Sequence, residues 1–281
     1  MAIETLDQYV AAAKQRIKIQ KTAPRTAVAT IHFGIFDLAG TPSPGVLAGT
    51  NIANGGVCPT DETLGFPPVL FSTGVGYLSK IEFGSSVACR FSIFDMLIKM
   101  GAISYAAATT TPSAGTQPAI SQRCPDYPGS GDTFGAGLEL WVEVSTAFVS
   151  GTNWNVQVTY KNQAGVSGRT ATMPANLNAA ALTVGKMFML TLQSGDTGVQ
   201  CIESVIVTNA ATVMTAGNFN VLILRPLWTN GRVRIANDGD VHDLLKTGMP
   251  VVYANSALIT TIEADSNSTG YPELVLEIAN G

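Results

Sequence analysis

Apolar and polar residues alternate strictly along the middle of the chain. Between residues 138 and 148 the apolar even positions are Leu138, Leu140, Val142, Val144 and Phe148, and residues 154–160 repeat the pattern after a short turn. A period of two is typical of strands with one buried face, and the turn is too short for a helical crossover. With residues 167–173 as a third strand, the pattern predicts an antiparallel three-stranded meander.

Further strands follow from β-branched and aromatic runs bounded by turn residues. Asn230 and Gly231 are typical of a tight hairpin turn. The pattern therefore predicts a mainly β, antiparallel fold of the β-sandwich or jelly-roll type, with long Gly/Pro-rich loops at 40–68 and 106–137. The other predicted strands span residues 27–33, 69–71, 77–83, 186–193, 199–208, 219–228, 232–236, 257–263 and 273–278.

Two segments have helical periodicity. At the N-terminus apolar residues recur at steps of three and four, and Thr5 with Gln8 fits a capping box, so a helix is expected from Leu6 to Ile17. Residues 91–100 are apolar nearly all round, with Asp95 and Lys99 at helical spacing, which predicts a buried helix. The expected domains are a helical arm (1–24), a loop-rich β region with one short helix (25–130) and a sandwich (131–281).

Charge is scarce and unevenly placed. Charged residues make up 13% of the chain and apolar residues 46%, and such a composition suits permanent assemblies. Residues 1–25 hold five basic and two acidic groups (net +3), whereas the remainder holds eleven basic and eighteen acidic groups (net −7). The basic arm either solvates a helix end or docks on an acidic protein surface, and nucleic acid is not expected as a partner.

Neither a targeting pattern nor a cysteine motif in the sequence points to a special compartment. No apolar run reaches the roughly 18 residues that span a bilayer, and the N-terminus lacks the pattern of a Sec signal, so assembly in a host cytoplasm without a membrane partner is expected. The four cysteines form no CxxC pair, and buried thiols are expected.

Few residues suggest catalysis. Asp238, Asp240, Asp243 and His242 lie close in sequence and could ligate a divalent metal, but they lack EF-hand spacing and Asp-Gly is a common turn. Glu139 and Glu143 are expected on the wet face of one strand, where solvated glutamates are commoner than a catalytic pair. We expect neither an enzyme nor a cofactor; a hydrolase that uses these carboxylates or His242 remains an alternative.

Contact residues are predicted on the helix and on one strand. Trp141 is an aromatic residue on the polar face, where it could contact a neighbouring subunit, stack on a sugar or lie beneath a loop. Leu6, Val10, Arg16, Ile17 and Lys18 are the candidate contacts on the arm.

The segment 154–169 contains the sequence Val-Thr-Tyr-Lys-Asn-Gln-Ala-Gly, followed by Gly-Arg. This motif resembles sequences found in structural proteins of tailed-bacteriophage virions, particularly accessory capsid proteins that decorate or cement heads. The resemblance implies a β-rich, non-enzymatic, oligomeric virion component that binds the major capsid protein or another virion protein. The competing hypothesis is a carbohydrate- or receptor-binding β module of a phage tail.

Overall fold

A computed structural model describes residues 3–50, 52–71, 74–104, 117–118, 120, 123–124, 134–148, 154–174, 183–209 and 216–281, apart from the side chains of residues 208 and 209. The chain forms two compact units: residues 1–46, 60–95 and 226–281 (unit 1), and residues 47–59 and 96–225 (unit 2). In chain order the elements are α1 (Leu6–Ala11), β1 (Ala13–Lys21), β2 (His32–Gly34), β3 (Gly40–Thr41), a 3-10 helix (Ile52–Asn54), β4 (Val75–Ser85), β5 (Cys89–Ser104), β6 (Glu139–Thr146), β7 (Trp154–Asn162), β8 (Arg169–Thr172), β9 (Lys186–Met189), β10 (Val199–Asn209), β11 (Asn218–Val233), β12 (Asp238–His242), α2 (Leu244–Thr247), β13 (Val251–Tyr253), β14 (Leu258–Ala264) and β15 (Pro272–Asn280).

Unit 1 is organised around one antiparallel sheet in the order β12-β4-β15-β1-β3, with β13 also paired to β4. Along its strands apolar residues point to one face, where Ile17, Ile81 and Leu276 are buried. The opposite face, here called the outer face, carries charged residues such as Arg16 and Glu82. In the same unit, β14 pairs with β2 and with the first half of β5.

Unit 2 contains the sheet β10-β7-β8, and in it β6 pairs with β9 and with the first half of β11. The predicted hairpin between β7 and β8 is confirmed. The predicted pairing of β6 with β7 is wrong, because the two strands belong to different sheets. Strict alternation shows that each strand has a buried face, but it does not identify the neighbour that each strand selects.

The predicted N-terminal helix is too long. The capping box at Thr5 and Gln8 is present, but the helix ends at Ala11 and residues 13–21 form β1. The reason is that Ile17, Ile19 and Lys21 alternate at a period of two, which matches a strand paired along its length with β15. The residues beyond Ala11 that fit the spacing of a helix also fit the two-residue period of a strand, so the sequence spacing did not mark the end of the helix.

The predicted helix at 91–100 is also wrong, since these residues lie inside the sixteen-residue strand β5. Both faces of β5 are buried, which removes the alternation that distinguishes a strand from a buried helix. Asp95 does not pair with Lys99 through a helical turn. Its carboxylate accepts hydrogen bonds from the Ser256 hydroxyl (2.8 Å) and the Ala257 N–H (2.9 Å).

The predicted loop at 40–68 is held by specific contacts within each unit. In unit 2, the buried Asn220 side chain accepts from Gly49 N–H at 3.0 Å and donates to Leu47 O at 2.7 Å. Val57 pairs with Lys99 through two main-chain hydrogen bonds. In unit 1, β3 pairs with β1. The second predicted loop, 106–137, lies largely outside the described residues.

Some of the other predicted strands are confirmed and some are not. The strands predicted at 77–83, 186–193, 199–208, 257–263 and 273–278 are confirmed in position by β4, β9, β10, β14 and β15. The strand predicted at 27–33 is reduced to β2, and residues 69–71 form no strand. The hairpin turn at Asn230 is wrong, because β11 runs through it, with Asn230 at φ +64°.

The mainly β, antiparallel, sandwich- or jelly-roll-like class predicted from the alternation is confirmed. All four cysteines are free thiols, with Cys89 and Cys124 buried. Among the described residues, no helix combines the length and apolar character required to cross a membrane.

Candidate functional site

Helix α1 presents two apolar side chains to solvent. Leu6 is 69% exposed and Val10 68% exposed, and no residue of the helix is buried. A helix of six residues is not stable alone in water. Its conformation must therefore be fixed by contacts at its ends and along its side.

Those contacts are present. The Thr5 hydroxyl accepts from Gln8 N–H (3.2 Å), and the Gln8 side chain accepts from Thr5 N–H (3.0 Å). At the other end Lys14 Nζ donates to Tyr9 O (2.9 Å) and lies 4.5 Å from the centroid of the Tyr9 ring. The Tyr9 hydroxyl donates to Glu277 Oε1 on β15 (3.1 Å). Helix α1 is thus fixed against the sheet while its apolar residues remain exposed.

The strand that follows, β1, places its cations on the outer face. Arg16 Nε lies 3.7 Å from Glu277 Oε2, and Lys18 Nζ lies 3.0 Å from Glu273 Oε1. Both cations stay at least half exposed, so each remains available to a further anionic group. Ile17, predicted as a contact, is buried in the core of unit 1 because it points to the opposite face.

A groove of about 530 Å³ lies on the outer face where β12, β4 and β15 run side by side. Gly84 and Gly239 are directly paired across β4 and β12, and their missing side chains leave the depression. Val241 and Tyr271 are exposed large hydrophobic residues at this site. The full lining is Glu82, Phe83, Gly84, Ser85, Ser86, Asn237, Asp238, Gly239, Asp240, Val241, Tyr271, Glu273 and Val275.

The acidic side chains of β12 bind their own backbone. Asp238 accepts from Gly239 N–H (2.8 Å), and Asp240 accepts from Val241 N–H (2.7 Å). The hydrogen bond from Val241 is the largest cause that lowers the pKa of Asp240, so this carboxylate stays ionised.

The segment predicted as a possible metal site has this structural role instead. Among the described residues, no group of three or more His, Cys, Asp or Glu side chains is arranged to hold a metal ion. His242 Nδ1 accepts a hydrogen bond from Trp228 Nε1 (3.1 Å), and its ring packs edge-on against Phe83. Burial, followed by the positive charge of Lys246, lowers the pKa of His242. The imidazole therefore anchors β12 on an aromatic cluster.

The residues considered for hydrolysis do not converge. Glu143 is buried and accepts from Asn220 Nδ2 at 2.8 Å. Glu139 accepts from Trp141 Nε1 at 2.8 Å, and burial raises the pKa of Glu139 against the opposing effect of that bond. Four residues along a strand separate the two backbones by roughly 13 Å. Trp141 is 3% exposed, because β6 is covered on both faces, so its side chain belongs to the core of unit 2.

The segment that carries the phage resemblance forms a clamp in unit 2. Asp196 accepts from the Tyr160 hydroxyl (2.6 Å), from Asn162 Nδ2 (2.7 Å), and from Arg169 Nε (2.8 Å) and its terminal nitrogen (3.0 Å). Burial opposes ionisation of Asp196, but these hydrogen bonds outweigh it and lower the pKa of its carboxyl to about 2. Sequence reasoning missed Asp196, which lies 27 residues beyond Arg169 and has no local pattern.

Comparisons with known proteins add little. The sequence matches no protein-family model and no curated protein. Among solved structures, the chain is similar to the VP2 subviral particle of infectious bursal disease virus (10% identity, TM-score 0.21, 96% of this chain and 80% of that chain covered). It is also similar to the Gt strain structure of the same virus (11% identity, TM-score 0.22, coverage 95% and 81%). Likenesses of this size do not establish a shared fold.

Proposed function

We propose that the chain is a non-enzymatic structural component of a virion, and that it acts as a capsid decoration or cement protein of a bacteriophage. The observation that carries this proposal is α1. A short helix is fixed at both ends, yet the side chains of Leu6 and Val10 on it stay about two-thirds exposed to solvent. Exposed apolar groups on an ordered element are typical of protein–protein contacts.

The low charge of the chain supports the same function. Interfaces that persist are depleted of Lys, Glu and Asp, and only 13% of this chain is charged. Modest contacts repeated over many copies of a lattice give a high combined affinity. The partners proposed are copies of this chain and a major capsid protein, with the virion as the location.

The glycan-binding alternative loses the residue that favoured it. Trp141 was the candidate sugar platform, and it is buried in unit 2. Tyr271 is an exposed aromatic residue at the groove, but a single ring is a weak sugar platform. A glycan array on the purified chain tests this alternative directly.

The test of the proposed function is the mass of the purified chain in solution, measured by size-exclusion chromatography with light scattering over a range of concentrations. Deleting the arm would remove β1 from the sheet, so point substitutions are preferable. Leu6→Ser with Val10→Ser should shift the mass toward that of one chain. Val46→Ser with Leu64→Ser is the matched control, since these residues are 63% and 60% exposed.

Wild-type protein is expected to exceed the mass of one chain and the control to match it. A wild-type chain that stays monomeric at every concentration, with no response to the Leu6 and Val10 substitutions, would contradict the proposed function.

A further inference from the structure

Strand β1 has a neighbouring strand on only one side over most of its length. It pairs with β15 from Ala13 to Gln20, whereas β3 reaches only Gln20 and Lys21 on the other side. In the sheet of unit 1, no other strand of the described residues lies beside residues 13–19. This stretch is therefore a sheet edge, here called the β1 edge.

The backbone groups that face the open side of the β1 edge belong to the even-numbered residues. On the side where β3 lies, Thr22 N–H donates to Ala39 O at 2.8 Å. The direction of hydrogen bonding alternates along an antiparallel strand, and the register between β1 and β15 continues without a bulge. Lys14, Arg16 and Lys18 therefore each direct one N–H and one C=O toward the open side, while the odd-numbered residues bond to β15.

The side chains along the β1 edge form two different rows. Lys14, Arg16 and Lys18 are exposed on the outer face, and β1 contains no acidic residue. On the opposite face, the Gln15 side chain accepts from Leu70 N–H at 2.9 Å. Leu70 is 75% exposed, so the edge has cations on one face and an apolar residue beside the other.

The cations determine which strand fits. Residues directly opposite each other on one face of a sheet interact through their charges, and like charges are destabilising. A second copy that added its own β1 edge about a two-fold axis would place cations opposite cations. A strand with carboxylates at alternate positions places anions there instead. Arg16 and Lys18 keep 68% and 50% of their side chains exposed beside their glutamate partners on β15, so both can contact anions on the open side as well.

We propose that the β1 edge accepts an extended segment of another protein as an added strand, with acidic residues at alternate positions on the outer face. An unpaired strand edge is a template for such addition, in which main-chain hydrogen bonds give affinity and alternate side chains give specificity. The main chain of the segment bonds to Lys14, Arg16 and Lys18, and its carboxylates contact their cations. This inference goes beyond the proposed function, because it requires no association between copies of the chain.

Peptide binding to the full chain, measured by calorimetry, tests the strand addition. The probe is a peptide with blocked ends and the sequence Glu-Val-Glu-Val-Glu-Val-Glu, and the control peptide has lysine in place of each glutamate. The acidic peptide should bind at least about tenfold more tightly than the lysine peptide. Equal or tighter binding of the lysine peptide, or no binding of the acidic peptide at millimolar concentration, would overturn the inference.

Two substitutions at Arg16 separate the backbone contact from the charge. Arg16→Gln and Arg16→Pro both remove the cation, but only proline also removes the N–H that faces the open side. Proline is tolerated on an edge strand at such a position, and thermal melting establishes that both variants are folded. Arg16→Gln should bind the acidic peptide about threefold more weakly than wild type, and Arg16→Pro at least about tenfold more weakly than Arg16→Gln. Equal affinities of the two folded variants would count against an added strand.

Amide hydrogen exchange of the wild-type chain, followed by NMR, tests the same contact should proline unfold the sheet. The amides of Arg16 and Lys18 should exchange rapidly in the free chain and slowly with the acidic peptide bound. Those of Ile17 and Ile19, which bond to β15, should exchange slowly in both states. Unchanged exchange at Arg16 and Lys18 would overturn the strand addition and leave the proposed function standing, because that function is tested by the mass of the chain in solution.

Discussion

Replacing Asp196 with alanine should destabilise unit 2 more than any exposed substitution. The Asp196 side chain is 3% exposed, and its two oxygens accept four hydrogen bonds from three residues. The alanine variant leaves the buried Asn162 amide and the Tyr160 hydroxyl without this acceptor. It also removes the charge that faces Arg169.

The expected loss in unfolding free energy follows from the hydrogen bonds that the substitution removes. A hydrogen bond to a charged group contributes about 1.5–3 kcal/mol, and removing one member of a buried pair costs about 3–5 kcal/mol. Arg169 is partly exposed and can recover water, which places the expected loss in the free energy of unfolding at about 3 kcal/mol. Asp196→Asn keeps the shape but loses the charge, so its loss should be smaller.

The assay is urea unfolding followed by tryptophan fluorescence in a Trp228→Phe background. The chain has three tryptophans, and the two that remain, Trp141 and Trp154, both belong to unit 2. With a slope of about 3 kcal/mol per molar urea the midpoint should fall by about 1 M. Glu62→Ala, an exposed control, should leave it unchanged. An Asp196→Ala midpoint equal to that of the parent would refute the assignment of the clamp as a stabilising element.

Three further predictions follow from single sites. The pKa of Asp196 is lowered to about 2, below the value of about 3.9 for an unfolded chain, so its contribution is complete above pH 4 and is lost as pH falls toward 2; the difference in unfolding free energy between wild type and Asp196→Asn should shrink across that interval. The pKa of His242 is also lowered, by burial first, so stability is lost as pH falls below about 6.5, and His242→Gln should flatten that part of the pH profile measured by thermal melting. Gly101→Ala would place a Cβ 2.1 Å from the Cα of Gly49, and because backbone must move, unfolding free energy should fall by about 2 kcal/mol or more in urea titration.

Strand prediction succeeded where one face of a strand is wet. β4 alternates between buried and partly exposed residues over most of its length, and the first half of β15 alternates in the same way, so the sequence period reports the structure directly there. It failed for β5, because both faces of that strand are covered and the apolar run has no period. The buried Asp95 in this run was assigned to a helical pair, whereas it serves the turn before β14.

The candidate surface was only half accessible to sequence reasoning. Leu6 and Val10 were identified because capping and spacing are local properties of a short segment. The groove was not, since Gly84 and Gly239 are separated by 155 residues and become neighbours only when β12 pairs with β4. A glycine within a strand leaves a gap in the row of side chains. Two such gaps form a depression only when the strand register places the two glycines side by side.

The resemblance in residues 154–169 has a physical explanation that separates folding from function. Tyr160, Asn162 and Arg169, which give the segment its recognisable wording, all donate to Asp196. These residues therefore specify a stable β7–β8 hairpin that is bound to the turn before β10. A residue committed to a clamp inside unit 2 is not available as a contact residue. The physical reason to expect assembly lies instead in unit 1, where Leu6 and Val10 are ordered by contacts that leave them exposed. Substitutions in the clamp should therefore change stability before they change association, whereas substitutions of Leu6 and Val10 should change association without changing stability.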